Sequence, residues 1–448
     1  MMLMKWQKLA IIAALFTVFY SANLPPARSQ IIGAGGFLNL EPVGQLLAEK
    51  LADDARSVFE HGIAALNKGK LEEAEKAFNE SLRLQGKQIA SYLGLAEIAG
   101  LRNQQEAALK YLQQAEKIAP YNVWVQRAWG RYYFRHGKFA EARMAFEKAR
   151  RLDTKSVMPV LELGEVYLNG EHDPQKAVAL FREASLRDPN HAAPHLALGT
   201  ALASQGKTPE AEAALQQAVW LAPDNPLPQQ ALGRLYFSQK QYDKALQRFE
   251  AAIAKTPEFF ELHLDQGDVF ASKGDDKKAV AAYSRALQIN PKSGTAYVKI
   301  GMIQQKHGNL QQAEKAYLAA IKADPRQLIA YNNLAMIAVE RKQNLDQALQ
   351  WAEKAVELAP KSPDLLDTLG WVYYTRGELD LARATLEKAV SINPNAMLSA
   401  AGIYYHLGVV HMKSGNTHQA ALALQKALQI DKSFPEANDA RQRLMALN

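Results

Sequence analysis

Aromatic and basic side chains alternate in one short stretch of the chain. Residues 124–143 read WVQRAWGRYYFRHGKFAEAR, in which Arg and Lys are interleaved with Trp, Tyr and Phe. Nucleic-acid surfaces use this combination, because bases stack on aromatic rings while phosphates pair with guanidinium groups. The stretch is therefore either a binding surface or an ordinary structural segment, and only the pattern of the whole chain can separate the two.

Three other patterns could carry ligand chemistry, but each lacks its required context. Residues 201–208 (ALASQGKT) match a loose phosphate-loop pattern, yet a phosphate loop follows a β-strand and no strand pattern precedes this one. Residues 33–36 (GAGG) lie in no βαβ pattern, and His191 and His195 straddle Pro194 without a third ligand nearby. We therefore predict no catalytic site, no metal site and no cofactor, and hence a protein that is not an enzyme.

The composition describes a folded chain without cysteine chemistry. Of its 448 residues, 48% are hydrophobic and 22% are charged, a balance typical of folded proteins. The absence of cysteine excludes disulfides, thiolate metal ligands, a cysteine nucleophile and a lipoprotein acylation site. The net charge of +7 is spread over a long chain, so it permits an anionic partner without indicating one.

The N-terminal segment has the features of an export signal. Lys5 and Lys8 precede residues 9–22, a 14-residue apolar run that is short for a membrane span but suits a signal peptide. Ala27 and Ser29 offer a small-x-small cleavage site. We expect residues 1–29 to be a cleaved signal peptide, with an uncleaved membrane anchor as the alternative. The repeats would then lie in the periplasm or at the envelope, and membrane contact would occur only through an uncleaved N-terminal segment.

Small residues return with a period of 34 from Ala55 onward. Numbering each repeat from its first residue, position 8 is Gly or Ala, position 20 is always Ala, and position 27 is Ala except at Ser81. Apolar residues recur at three- and four-residue steps on either side of a turn near position 15, which predicts two amphipathic helices per repeat. The small residues would let these helices approach closely, and a Pro at position 32 would end the second helix.

Six residues exceed the strict period. One lies near Glu171, one near Gln343, and four at residues 397–400, before the eleventh repeat. We expect the first two to lie in turns. Whether the last four kink the array stays open at the level of the sequence.

The repeat resembles the tetratricopeptide repeat family. Repeat ten carries the family pattern in these residues: Leu366, Leu369, Gly370, Tyr373, Ala382, Leu386 and Pro394. Leu366 and Leu386 stand where the family pattern has Trp and Phe. The resemblance implies an all-α fold, a right-handed α-solenoid superhelix of about eleven 34-residue helix-turn-helix repeats with a C-terminal capping helix. Residues 30–54 would form a linker and leading helix, residues 55–434 the repeats, and residues 435–448 the cap.

The resemblance also implies where partners bind, because the family lines its concave groove mainly with the first helix of each repeat. Carried onto this chain, the groove positions form three clusters. The cluster of repeat three is basic and aromatic: Trp124, Arg127, Arg131, Phe134 and Arg135. The cluster of repeat seven is acidic: Glu261, Asp265 and Asp268. The cluster of repeat ten is acidic and aromatic: Asp364, Asp367, Trp371 and Tyr374.

The alternation of charge along this groove bears on the class of partner. A channel that follows phosphates would be positive along its length, so we predict no nucleic-acid partner. We expect a non-enzymatic scaffold of the bacterial cell envelope that binds protein partners and supports assembly or secretion of an envelope complex. The alternative is a periplasmic helper of exopolysaccharide export, in which Arg127, Arg131 and Arg135 would hold an anionic polysaccharide while Trp124 and Phe134 stack on sugar rings.

Overall fold

The computed structural model describes residues 52–392 and 400–447. These residues form 23 α-helices, and no β-strand occurs among them. The predicted signal segment, residues 41–51 of the predicted leading helix, Pro394 and residues 397–399 of the insertion lie outside the described residues. The chain divides into two compact units, whose described parts are residues 52–241 and residues 242–392 with 400–447.

The first unit contains helices α1 to α11. In chain order these are α1 Asp53–Asn67, α2 Leu71–Leu84, α3 Ile89–Leu101, α4 Gln105–Ile118, α5 Val123–Arg135, α6 Phe139–Leu152, α7 Met158–Glu165, α8 Pro174–Arg187, α9 Ala192–Ser204, α10 Thr208–Leu221 and α11 Pro226–Ser238. A π-helical turn, Val166–Gly170, continues α7.

The second unit contains helices α12 to α23. In chain order these are α12 Tyr242–Lys255, α13 Phe260–Ser272, α14 Asp276–Ile289, α15 Gly294–Lys306, α16 Leu310–Ala323, α17 Leu328–Arg341, α18 Leu345–Leu358, α19 Pro363–Arg376, α20 Leu379–Ile392, α21 Ala400–Lys413, α22 Thr417–Ile430 and α23 Ala437–Leu447. The predicted sixth repeat contributes α11 to one unit and α12 to the other.

Within each unit, consecutive helices pack in the pairs that the period predicts. Position-8 glycines lie against a ring or a leucine of the second helix: a Cβ added at Gly130 would come within 2.5 Å of Phe146, and one at Gly199 within 2.6 Å of Leu215. A Cβ added at Gly301 would come within 2.6 Å of Tyr317. Every position-20 alanine is buried, and so is every residue at position 27, including Ser81. The prediction that small residues bring the helices together is confirmed.

The turn inside each pair follows the expected chemistry. Glycines at position 15 adopt positive φ values, between 69° and 87°, which a residue without a Cβ tolerates best. They are Gly69, Gly137, Gly206, Gly274, Gly308, Gly377 and Gly415. In repeat nine, where the sequence has one extra residue, Lys342 and Asn344 take the left-handed conformation instead.

The extra residue of repeat four lies in a helix and not in the predicted turn near Glu171. The π-helical turn that follows α7 accommodates it, with the amide of Glu171 bonded to the carbonyl of Val166 at 2.9 Å. A π turn widens the helix by one residue while keeping its backbone hydrogen-bonded. Helix α7 therefore keeps its pairing with α8 despite the insertion.

The architecture of the described residues is an all-α solenoid. Each pair buries the small and aromatic side chains of its own interior and also contacts the following pair within its unit. Stacked pairs can bury a continuous core that a single pair could not. None of the helices in residues 52–392 and 400–447 is long and apolar enough to cross a membrane.

Candidate interaction surface

The first helices of successive pairs lie beside one another. In the first unit, α1 contacts α3, α3 contacts α5, and α9 contacts α11; in the second unit, α17 contacts α19 and α19 contacts α21. All twelve predicted site residues lie on such first helices, namely α5, α13 and α19. We refer to the faces formed by helices α3, α5 and α7, and by α19 and α21, as the first-helix surfaces.

On the first of these surfaces, two of the predicted arginines share one buried carboxylate. Arg127 donates to Glu162 of α7 through two nitrogens, Nε to Oε2 at 2.7 Å and Nη2 to Oε1 at 3.0 Å. Arg131 donates from Nη1 to Oε1 of Glu162 at 3.0 Å. Arg127 is 1% exposed, Arg131 is 9% exposed and Glu162 is 2% exposed. These guanidinium groups therefore tie α5 to α7.

The third arginine of the stripe reaches in the opposite direction along the chain. Arg135 forms an ion pair with Glu97 of α3. A Cβ added at Gly100 would lie 2.5 Å from its Nη1. Burial would raise the pKa of Glu97, but Arg135 and Arg131 hold the pKa below its ordinary value. Arg135 thus ties α5 to α3, and in this position its guanidinium lies close to Gly100.

These contacts show that the basic cluster of repeat three is paired with acids from neighbouring repeats. No acid occurs among the groove positions of repeat three, but the neighbouring first helices supply Glu97 and Glu162, which lie 38 residues before Arg135 and 35 residues after Arg127. Both separations are close to one repeat. The signal was therefore present in the sequence, and comparing charges on adjacent first helices would have found it.

The two aromatic members of the same cluster are half-buried. The ring of Trp124 packs under the guanidinium of Arg127, with Cζ 4.7 Å from the ring centroid, and Phe134 meets Phe139 edge to face at 5.6 Å. Trp129 is buried and stacked on Tyr133 at 5.4 Å, as expected of a packing position. The repeat-three cluster thus consists of two partly accessible rings beside an ion-paired core.

A buried carboxyl group lies next to the π-helical turn, at a position that no sequence pattern distinguishes. Glu165 is 5% exposed, and its Oε2 accepts from the side-chain amide of Asn169 at 2.6 Å. Burial raises the pKa of Glu165 to about 7. Residues four apart lie on one face of any α-helix. The spacing of Glu165 and Asn169 therefore does not predict that Glu165 is buried beside a π-helical turn.

The acidic cluster of repeat seven is partly neutralised by its surroundings. Asp268 of α13 accepts from the Tyr283 hydroxyl at 2.7 Å and pairs with Lys299 of α15, also at 2.7 Å. Glu261 and Asp265 lie half-buried on α13. As in repeat three, a charge on one first helix meets the opposite charge on the next.

The cluster of repeat ten forms an aromatic stack with a histidine from the following repeat. Trp371 stacks on Tyr374 at 4.6 Å and on His406 of α21 at 4.1 Å, with interplanar angles of 17° and 23°. His406 Nδ1 lies 2.8 Å from Asp367 Oδ1. Burial alone would lower the pKa of His406, but the charge and hydrogen bond of Asp367, with a contribution from Glu436, raise it. Asp364 lies half-buried in the first turn of α19.

Two of the three patterns considered for ligand chemistry have structural roles, whereas residues 33–36 lie outside the described residues. Residues 201–208 span the end of α9 and the start of α10, and Gly206 is the predicted turn glycine. His195 Nε2 lies 3.0 Å from the carbonyl of Pro189. Asn333 is buried and donates to the Tyr317 hydroxyl at 3.0 Å. Residues 52–392 and 400–447 contain no group of three acidic or histidine side chains placed to hold a metal ion.

The fold is an α-solenoid of the helical-repeat class. Its helices are paired, small residues occur at fixed positions, and the first helices form a surface. Tetratricopeptide repeat families match residues 59–123 and 168–235. The family described as the C-terminal domain of cilia and flagella-associated protein 70 matches residues 228–445. The chain belongs to the tetratricopeptide repeat family, and with its helical-repeat fold it is a protein–protein interaction scaffold.

Several solved structures are similar in fold at low sequence identity. A chain of the APC/C hetero-tetramer Cut9-Hcn1 is 14% identical, with 91% of this chain and 98% of that chain covered and a TM-score of 0.47. Yeast Tom70 is 14% identical, with coverages of 88% and 95% and a TM-score of 0.45. YrrB, a tetratricopeptide protein with an unusual peptide-binding site, is 23% identical, with coverages of 43% and 97% and a TM-score of 0.36. No curated protein matches the chain.

Proposed function

We propose that this protein is a non-catalytic scaffold of the bacterial cell envelope that binds segments of partner proteins on its first-helix surfaces. It would support assembly or secretion of an envelope complex. The observation that carries the proposal is the partly exposed aromatic stack of Trp371 and Tyr374. Aromatic side chains that are partly accessible on a rigid helical surface are the type of anchor that dominates protein–protein binding energy.

The envelope location rests on the sequence of residues 1–29. Lys5 and Lys8 before an apolar run, followed by a small-x-small site, support export. Mass determination of the N-terminus of the mature protein, after fractionation of the producing cells, tests this part. Recovery of the protein in the cytoplasm with residues 1–29 intact would contradict it.

The alternative of an anionic polysaccharide loses its main argument. That interpretation required the guanidiniums of Arg127, Arg131 and Arg135 to be available to a polymer. Arg127 and Arg131 are instead buried against Glu162, and Arg135 pairs with Glu97. No other observation favours a polymer of sugars, so we do not propose this function.

In-cell photo-crosslinking tests the scaffold function. A photo-reactive residue in place of Tyr374 should capture a discrete protein, because Tyr374 lies in the aromatic stack of α19. The matched control is the same residue in place of Leu422, which is 53% exposed on the second helix α22. Identical products from both positions, or none from position 374, would contradict binding on the first-helix surface.

A further inference from the structure

Large apolar side chains project into solvent on one part of the first unit. Five large hydrophobic residues of the described chain are 64–77% exposed, and all except Met445 belong to consecutive repeats of this unit. They are Tyr121, Met144, Leu186 and Trp220. Tyr121 follows α4, while the other three lie on the second helices α6, α8 and α10. A cluster of exposed apolar residues marks an interaction site, whereas single exposed residues need no explanation.

The repeat places three of these residues on one line of the second helices. Positions 22, 26 and 29 of a repeat are three and four residues apart, so they share one face of the helix. In repeat four they are counted without the inserted residue. Met144 occupies position 22, and Leu186 and Trp220 both occupy position 29. We refer to these three positions of the second helices as the second-helix stripe. Among the described residues of the second unit, Leu422 is the one large hydrophobic residue on this stripe.

Contacts between the second helices bring their stripes together. Arg150 of α6 donates to Glu183 of α8 at 2.9 Å, and Arg182 of α8 pairs with Glu210 of α10 at 3.2 Å. Both partners of each pair lie on second helices, so α6, α8 and α10 lie side by side. Equivalent positions of neighbouring repeats therefore form one surface across these helices.

Basic side chains without acidic partners accompany the apolar ones. Lys148 and Arg151 occupy positions 26 and 29 of α6, and Lys117 occupies position 29 of α4. None of these three forms an ion pair with any described residue. The ammonium of Lys148 lies 5.5 Å from the centroid of the Tyr121 ring, so Tyr121 belongs to the same surface.

The acids that flank the stripe are occupied by other arginines. Glu147 of α6 pairs with Arg143 at 3.7 Å. Glu183 of α8 pairs with both Arg150 and Arg187. The unpaired basic groups of the stripe therefore keep their positive charge available to an anionic partner.

We propose that the second-helix stripe of α6, α8 and α10, together with Tyr121, docks on the anionic lipid surface of a membrane. The unpaired basic side chains face the lipid phosphates, and the projecting apolar side chains enter the headgroup layer. Tryptophan and tyrosine suit this interface, because one end of each side chain is apolar and the other is polar. A lipid layer deforms around single projecting side chains, whereas a folded partner would need a separate pocket for each of them.

This contact goes beyond the proposed scaffold function and uses different residues. It also differs from the expectation that membrane contact occurs only through an uncleaved N-terminal segment. The stripe lies within the repeats, so its contact with lipid does not require residues 1–29.

The test uses the absence of cysteine from the chain. A polarity-sensitive fluorophore is attached to Met144→Cys in the full chain, and the same label on Leu422→Cys is the matched control. Both residues occupy position 22 of a second helix, and they are 64% and 53% exposed. The labelled chains are titrated with vesicles of equal parts phosphatidylcholine and phosphatidylglycerol, or of phosphatidylcholine alone.

We expect the emission of the label at position 144 to shift to the blue with the anionic vesicles only, and the label at position 422 to stay unchanged. A local label is needed, because an uncleaved N-terminal segment would also hold the chain on vesicles. The label reports whether the stripe itself enters the lipid.

Substitutions in the chain labelled at position 144 test the charge and the apolar contact separately. Lys148→Gln should raise the lipid concentration at the half-maximal shift about fivefold. Its control is Lys426→Gln, since Lys426 occupies position 26 of α22 and its loss changes the net charge equally. Trp220→Ala should raise the same concentration at least about tenfold, because the exposed indole would no longer enter the headgroup layer.

Several results would overturn the proposal. These are no shift at position 144 with the anionic vesicles, equal shifts with the two types of vesicle, and equal shifts at positions 144 and 422. Equal effects of Lys148→Gln and Lys426→Gln would also overturn it, because they would show a general attraction between a basic protein and an acidic surface.

An acidic protein as the partner of the stripe is tested with soluble polyglutamate. A shift at position 144 with polyglutamate that equals or exceeds the shift with anionic vesicles would reassign the stripe and overturn a lipid partner. Photo-crosslinking at Tyr374 depends on the second unit and not on the stripe. A partner captured there without any shift at position 144 would defeat this inference alone and leave the scaffold function in place.

Discussion

Glu162 shows how much one residue changes the meaning of a charge pattern. It accepts from Arg127 and Arg131 while almost completely buried, so both guanidiniums depend on it. Removing one member of a buried charge cluster is far more damaging than removing a surface ion pair, because the remaining charges cannot return to water. The arginines that looked like ligand contacts serve first to hold adjacent first helices together.

The substitution Glu162→Gln should therefore lower the free energy of unfolding by about 3–5 kcal/mol, because it leaves two buried guanidiniums short of a carboxylate. Chemical denaturation followed by circular dichroism measures the change. Glu80→Gln is the control, since Glu80 pairs with Arg83 on the surface and its loss should leave the denaturation curve unchanged. Equal effects of the two substitutions would show that the buried cluster has no special role.

At the scale of the helical elements, the distance between the two helices of a pair depends on whether the aromatic ring that faces the glycine can move. Tyr317 is fully buried, donates its hydroxyl to Gln305 at 2.8 Å and accepts from Asn333 at 3.0 Å. Gly301 lies directly against this ring. Because two hydrogen bonds hold the phenol, the ring cannot shift to admit a methyl group. The packing of α15 on α16 is therefore fixed by a glycine and a tyrosine together.

Gly301→Ala should destabilise the chain by about 1–3 kcal/mol, since the cost of overpacking exceeds the gain in helix propensity. Gly402→Ala should do the reverse and stabilise by up to about 1 kcal/mol, because no atom of the described residues lies within 4 Å of its added Cβ. Thermal unfolding of the two variants and the unchanged chain decides the matter. A stabilised Gly301→Ala variant would mean that the Tyr317 ring moves aside.

The sequence predicted most of the fold at this scale, and the reason is physical. Helix pairing depends on side-chain size, and the size pattern repeats at positions 8, 20 and 27 in a way that sequence displays directly. Two features were not predicted. One inserted residue can be accommodated by a longer loop or by a π-helical turn, and the turn after α7 is of the second kind. The ion pairs of Glu97 and Glu162 join residues from different repeats. Periodicity within one repeat shows neither.

At the scale of the whole molecule, each unit contains a group whose protonation favours folding. Burial raises the pKa of Glu165 in the first unit to about 7, so its charged form is disfavoured in the folded state. In the second unit, Asp367 and Glu436 overcome the burial of His406 and raise its pKa, so its charged form is favoured. Both contributions favour folding at lower pH, and both are lost as the pH rises through the folded-state pKa of each group.

Glu165→Gln should therefore be more stable than the unchanged chain at about pH 8, by up to about 3 kcal/mol, and nearly equal to it at about pH 5. His406→Gln should be less stable at about pH 5.5, and the difference should shrink as the pH rises through the pKa of His406. Thermal unfolding across this pH range measures both differences.

The control for the histidine is its acidic partner. Asp367→Asn should abolish or reverse the stabilisation that His406 gives at low pH, because without the Asp367 charge next to Nδ1 the burial of His406 acts to lower its pKa. His411 changes the stability with pH in the opposite direction, because burial lowers its pKa. The unfolding curves of the variants are therefore compared with one another, and the pH dependence of the unchanged chain is not used alone. A pH-independent difference between His406→Gln and the unchanged chain would contradict the assignment.

The ion pairs across α3, α5 and α7 limit how freely repeats can be exchanged. Deleting the 34 residues of repeat three would preserve the helical period, yet it would remove every guanidinium of the cluster and leave Glu97 and Glu162 on adjacent helices. Two carboxylates would then face each other where three arginines had separated them. Recombination within this part of the array is therefore constrained by charge as well as by register, so its repeats must be inherited, replaced or engineered as a block.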